Sequence, residues 1–208
     1  MKPATLFLAL NLILLFTKHS LSLMDDILVY DSEGNQLQKN ASYFISPPIR
    51  GPLGVPVMLA IPHGVNGTCN EADVVQYRFV LGPSTPFTFT PVAHSEDVVK
   101  LGYPLAIQST DNPCRGSSIW KVSSRTGVVS GDIITTGGVK NKPSSCLRIT
   151  KPQNPMFLDT YMFEYCPNLC GAGPKICLPI GNYMGHLSPR GKPFEFVLNK
   201  VSESVATV

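Results

Sequence analysis

The stretch Cys170-Gly171-Ala172-Gly173-Pro174-Lys175-Ile176-Cys177 sets a lysine and an apolar follower inside a short segment bounded by two cysteines. Closed by oxidation, such a segment is a tight loop with a cation near its tip. An ammonium placed there suits a partner's pocket that holds a buried carboxylate, and Pro174 restricts the backbone just before it. An ordinary stapled hairpin with a solvated lysine uses the same residues equally well. A phosphate cradle is excluded, because no helix follows and Ile-Cys stands where Ser or Thr would be needed.

Closing the loop requires an oxidising compartment, and the amino terminus supplies the argument for one. Met1 to Ser22 begins with Lys2, runs through mostly apolar residues from Leu6 to Phe16, and ends in Ser20-Leu21-Ser22, with small residues where a signal peptidase reads. As a helix, Leu6 to Phe16 would rise only about 16 Å against a hydrocarbon core of about 30 Å, so a secretory signal peptide over 1-22 is expected rather than an anchor. All six cysteines (Cys69, Cys114, Cys146, Cys166, Cys170 and Cys177) follow that point, and three disulfides without a free thiol are the expectation. Their spacing offers no zinc site, since Cys166-Pro-Asn-Leu-Cys170 has no matching second half and no histidine cluster. Two sequons, at Asn40 and Asn66, are glycosylation acceptors expected on exposed loops of a secreted chain.

The elements that must position this loop read as strands. The 208 residues include 19 Pro and 17 Gly, too many breakers for a helical bundle, and only 15% are charged against 43% hydrophobic, which excludes disorder. Short β-branched and aromatic runs alternate with turn clusters: Ile27 to Tyr30, Tyr43 to Ser46, Val55 to Ile61, Val74 to Val80, Phe87 to Val92 and Leu105 to Gln108. Trp120 to Val122, Cys146 to Ile149, Tyr161 to Cys166, Ile176 to Ile180 and Phe194 to Leu198 continue the series, which predicts one all-β domain over 23-208, a sandwich or barrel. A hairpin with Ile149 opposite Phe163 would also put Cys146 opposite Cys166, leaving Cys170 to close on Cys177.

Several motifs together resemble the plant Kunitz-type (soybean trypsin inhibitor-like) protease inhibitors over nearly the whole mature chain. The opening Leu28-Val29-Tyr30-Asp31-Ser32-Glu33-Gly34-Asn35-Gln36-Leu37 followed by Tyr43-Phe44-Ile45 carries the likeness, as do Val74-Val75-Gln76 and Trp120-Lys121-Val122. Tyr161-Met162-Phe163-Glu164-Tyr165-Cys166-Pro167 and Lys192-Pro193-Phe194-Glu195-Phe196 extend it to the carboxyl end. The resemblance implies a β-trefoil, a six-stranded barrel capped by three hairpins, bonded Cys69 to Cys114. It also implies Cys166 with Cys177, against the register argument above. The function it implies is inhibition of a peptidase, of the serine endopeptidase or serine carboxypeptidase class, by a rigid loop that enters the active site like a substrate.

The sequence departs from that family at the loop that trypsin-directed members use. The matching stretch is Gly82-Pro83-Ser84-Thr85-Pro86-Phe87-Thr88-Phe89, which has no basic residue and puts Pro86 or Phe87 at the specificity position. The asparagine that braces this loop in the family matches Lys39, with Asn40 one residue along. Four cysteines near the carboxyl end, where two are usual, bring the Lys175 loop forward as the candidate reactive site, Lys175 and Ile176 flanking the scissile bond. Pro86 and Phe87 are the alternative, suited to a chymotrypsin-like or subtilisin-like pocket.

No hydrolase, Walker or dinucleotide motif occurs, so an enzyme is not expected, nor is a cofactor. His63, His94 and His186 read as loop histidines without metal spacing, and Asp97, Asp132 and Glu164 as solvated or turn carboxylates. Without Lys2 and Lys18 the mature chain has 15 basic residues against 14 acidic, which gives no electrostatic case for nucleic acid or an anionic membrane. The expected protein is a secreted monomer of the apoplast or vacuole serving plant defence. The competing class is a non-inhibitory trefoil used for storage, taste modification or carbohydrate binding, since fold does not determine function.

Overall fold

The computed structural model describes residues 28–49, 55–62, 64, 68–77, 84–92, 97–126, 129–155, 157, 159–171 and 173–202. The expected signal peptide, Asn66, His63, His94 and the 82–83 end of the stretch matched to the loop of trypsin-directed family members lie outside these residues. Among the described residues fourteen strands form two connected sets, and no helix is long and apolar enough to cross a membrane.

The first set is a barrel. Strands β1 (Ser42–Ser46), β4 (Phe87–Pro91), β5 (Leu105–Ser109), β8 (Leu147–Thr150), β9 (Met162–Tyr165) and β14 (Val197–Lys200) pair in the order β9-β8-β5-β4-β1-β14. The ring closes through Tyr161 and Phe196, whose backbones exchange two hydrogen bonds of 2.9 Å. Six barrel strands fill their interior with side chains, and alternation supplies them: Tyr43 and Ile45, Phe87 and Phe89, Leu105 and Ile107, Leu147 and Ile149, Phe163, and Phe196 with Leu198 are all buried.

Three hairpins form the second set. They are β2 (Met58–Ala60) with β3 (Asp73–Val75), β6 (Lys121–Arg125) with β7 (Gly131–Thr135), and β11 (Gly181–Tyr183) with β12 (His186–Ser188), joined through β3 to β7 and to β12. A closed six-stranded barrel and three capping hairpins make a β-trefoil. Trp120 plugs the barrel, meeting Phe87 edge to face at 5.0 Å and Phe163 at 5.8 Å between ring centroids.

Two short strands complete the list, β10 (Leu178–Pro179) at the free edge of β9 and β13 (Lys192–Pro193) beside β11. The run expected as a strand from Ile176 to Ile180 is therefore strand only at its centre. Strands β7, β11 and β12 were not among the sequence expectations. Their apolar runs are short, and the β11–β12 turn is Met184-Gly185, with methionine at a positive φ where Asn or Asp would signal a hairpin.

Candidate functional site

The chain leaves barrel strand β9 at Tyr165 and rejoins it as β10, Leu178 opposite Tyr165 and Pro179 opposite Glu164. Between them lies a loop built around a 3-10 turn, Pro167–Cys170, with Pro167 at its first position, where the fixed φ favours turn entry. Gly171, at φ 116°, ends that turn. Opposite it, a second 3-10 turn, Pro143–Ser145, leads into β8 and packs against the first.

The disulfides hold both ends of this loop. Cys146 bonds Cys170 and Cys166 bonds Cys177, while Cys69 bonds Cys114; no cysteine is free. Ile149 does lie opposite Phe163, so Cys146 and Cys166 face each other across the ladder, and the Cys166 amide donates to the Cys146 carbonyl at 2.9 Å. They nevertheless do not bond. The 3-10 turn Pro167–Cys170 carries Cys170 back onto Cys146, and the β9–β10 pairing brings Cys177 beside Cys166 with Cα atoms 4.4 Å apart. The register was correct and the bonding read from it was not; the Cys166–Cys177 bond is the one that the family resemblance implied.

Each of the two bonds at this loop therefore joins a fully buried cysteine, Cys146 or Cys166, to a half-exposed one at a loop end. Between those anchors Gly173, Pro174, Lys175 and Ile176 are exposed, Ile176 to 66% and, just beyond, Leu178 to 40%. Lys175 makes no ion pair among the described residues. Beneath the loop, Arg148 and Glu164 stand opposite each other on β8 and β9 and form an ion pair at 2.6 Å, which fixes the rim of the barrel there. Glu164 and the sulfurs of Cys166 and Cys177 lie within metal-ligating reach of one another, but both sulfurs belong to a disulfide and have no thiolate to offer.

The alternative residues, Pro86 and Phe87, lie where the chain enters β4. Phe87 is fully buried in β4, packed on Trp120 and paired in the ladder with Tyr43 and Ser109. The Pro86 carbonyl accepts hydrogen bonds from Ser109 Oγ at 3.3 Å and from the Thr110 amide at 3.4 Å. Pro86 is thus held by its carbonyl and Phe87 by interior packing, so Phe87 has no exposed ring to offer a pocket. His186 differs from its expectation. It is 6% exposed on β12, between the Tyr77 hydroxyl at 3.1 Å and the Asp73 carboxylate at 3.5 Å, and so is a core histidine. Asn40 is exposed as expected, at φ 62°, with its side-chain carbonyl accepting from Thr90 on β4 at 3.2 Å.

The described residues thus form a disulfide-braced trefoil in which an exposed loop is bonded at both ends to buried cysteines. Residues 29–200 match the model of the Kunitz legume family, described as trypsin and protease inhibitor, and the chain belongs to that family of inhibitors, which are not enzymes. It is 30% identical to the Kunitz-type trypsin inhibitor-like 1 protein of Pisum sativum over 88% of this chain and 83% of the relative. To aspartic protease inhibitor 11 of Solanum tuberosum it is also 30% identical, over 67% of this chain and 72% of the relative. Among solved structures it resembles a Kunitz-type trypsin inhibitor from Cicer arietinum, with 25% identity, a TM-score of 0.67, and coverage of 84% and 99% of the two chains.

Proposed function

We propose that this chain is a secreted inhibitor of serine endopeptidases of trypsin-like specificity, and that it presents the Lys175–Ile176 bond as a substrate-like segment. The observation that carries this reading is the exposure of Lys175 and Ile176 on a short loop whose two ends are bonded to buried cysteines. Held so, the loop has lost much of its ordering entropy before it meets an enzyme. Of the other exposed lysines among the described residues, Lys140 and Lys142 sit on a tight turn closed by the Lys142 amide on the Val139 carbonyl, which cannot extend through a cleft, Lys192 and Lys200 lie in strands β13 and β14, and Lys151 directly follows β8.

An endopeptidase fits better than a carboxypeptidase, because a loop closed at both ends offers no chain terminus. Cleavage of Lys175–Ile176 would leave each new end tied near the other, one through Cys170 to Cys146 and the other through Cys177 to Cys166. Religation then competes with release, which is what distinguishes an inhibitor from a substrate. Secretion, through removal of residues 1-22, supplies the oxidising compartment that both bonds need. The apoplast or vacuole, glycosylation at Asn40 and Asn66, a monomeric state and a role in plant defence belong to the same reading.

The test is a panel. The purified mature protein is titrated against trypsin, chymotrypsin, subtilisin, a cysteine endopeptidase, an aspartic endopeptidase and a serine carboxypeptidase, and any nicked product is mapped with and without reduction. Tightest inhibition of trypsin, with slow cleavage after Lys175 into fragments that separate only on reduction, is expected. Inhibition confined to the aspartic enzyme would move the activity to another surface, and inhibition of none would leave the storage, taste-modifying or carbohydrate-binding class. Sequencing of the mature amino terminus tests the signal segment.

A further inference from the structure

Within the loop, Gly173 lies directly on the 3-10 turn. Its φ is 140°, and a Cβ built on it would stand 2.7 Å from Pro167 Cβ and 2.9 Å from Pro167 Cγ. Real side chains do not approach so closely, so only glycine fits between the loop backbone and the buried Pro167 ring. Gly171 makes a useful contrast: its φ of 116° is equally unusual, yet a Cβ there would meet nothing within 4 Å. Pro167 is itself held on both sides, following Cys166 and opening the turn that ends at Cys170. The four-residue stretch from Gly173 to Ile176 therefore rests on a platform that both disulfides fix.

We propose that Gly173 is the positioning residue of the reactive loop, its backbone seated on Pro167 so that Lys175 and Ile176 are held in one conformation. This inference rests on the reading of Lys175–Ile176 as the inhibitory bond. A bond on the amino side of which the chain can move hydrolyses like an ordinary substrate. A disulfide at Cys177 fixes only the carboxyl side, one residue after the bond. On the amino side Cys170 is five residues from the bond, too far to set the conformation at Lys175, and the Gly173 seat lies two residues before Lys175.

The experiment compares the full mature protein with Gly173→Ala, Gly171→Ala and Pro167→Ala, with trypsin as the probe. Each variant is measured for inhibition constant, for the rate of cleavage after Lys175, for amide hydrogen exchange at Lys175 and Ile176, and for Tm. Gly173→Ala should raise the inhibition constant and the cleavage rate by about tenfold or more and speed exchange at both amides, while Gly171→Ala changes each by less than about threefold. Tm should fall by a few degrees in both, since alanine is strained at either positive φ, so the loop readouts rather than Tm separate the two variants. Pro167→Ala removes the ring from beneath the loop without altering glycine, and gives an intermediate loosening even if Gly173→Ala fails to form its disulfides. Equal effects of the two glycine variants, or unchanged exchange at Lys175 in Gly173→Ala and in Pro167→Ala, would overturn the proposal. If exchange rises as expected while Lys175→Ala leaves inhibition intact, the seat stands as described and the inhibitory reading of this loop falls.

Discussion

Two segments of this trefoil compete for one role, and they differ in what holds them. The stretch from Gly82 to Phe89 is the one that the resemblance matches to the loop of trypsin-directed members, yet from Phe87 onward it is barrel strand, with the Phe87 and Phe89 rings inside. Gly173 to Ile176 are exposed, and disulfides at Cys170 and Cys177 hold the two ends of their segment. A segment fixed by burying its own side chains cannot also offer them to a partner. Covalent anchoring of the ends leaves the side chains between them free, and a short reactive loop needs that arrangement.

Substitution at each segment breaks the comparison most directly, and the largest effect belongs to the buried one. Phe87→Ala removes a ring that contacts Trp120 in a filled barrel and should cost about 3–5 kcal/mol of stability, read by denaturant unfolding. Inhibition by the fraction that remains folded should be unchanged. Lys175→Ala reverses the pattern. It should weaken binding to trypsin by about 2–5 kcal/mol, the scale of a truncated buried charge pair, with stability within about 0.5 kcal/mol of the parent. If Lys175→Ala inhibited trypsin as strongly as the parent, the protruding loop would lose its role.

A pH experiment separates barrel from loop at a smaller scale. Tyr161, beside the point where the barrel closes, has its phenol raised above the ordinary value of about 10, first by burial; the hydrogen bond from the Tyr30 amide at 2.9 Å opposes this, and Asp159, Tyr30 and Asp31 add to the rise. The folded state thus prefers the neutral phenol. This contribution is fully present below the unfolded value and is lost as pH rises toward the folded one. Tm should therefore fall on alkaline titration above about pH 10. Tyr161→Phe should flatten that fall, while costing about 1 kcal/mol at neutral pH through the lost acceptor. Parallel Tm curves for the two proteins above pH 10 would assign the alkaline loss elsewhere.

Much of this was legible in the residues, for reasons that also explain the failures. Alternating aromatic and β-branched runs mark barrel strands because one face is buried, and that is why Tyr43, Phe89, Ile107 and Phe163 stood out. The register of β8 against β9 followed from the same alternation. The partners of Cys146 and Cys166 did not follow, because a 3-10 turn that folds back over a strand end leaves no periodic signal. Strands β11 and β12 escaped for a related reason: three residues give too few alternations to read. Phe87 carried two readings, the start of the strand Phe87 to Val92 and an alternative reactive residue, because loop and strand share the sequence Pro-Phe-Thr-Phe; the strand is present, and the filled barrel turns the ring inward. Gly173 showed as one of two glycines in a stapled loop; that just one of them sits on a proline ring is a tertiary fact.

The smallest effect is expected at Pro86, and it sharpens the comparison because the outcome should be nearly nothing. What ties Pro86 to the barrel is its carbonyl, which accepts from Ser109 Oγ and the Thr110 amide. Alanine retains that carbonyl, so both hydrogen bonds survive Pro86→Ala. Loss of the ring frees the unfolded chain slightly, worth about 0.4–1 kcal/mol of stability at most. Inhibition of trypsin should stay within about twofold, since a bond whose carbonyl is engaged by β5 and whose following residue is inside the barrel is not presented to an enzyme. A measured loss of tenfold or more would mean that 84–92 does touch the enzyme, and the contrast between packed and stapled segments would have to be redrawn around a two-segment contact.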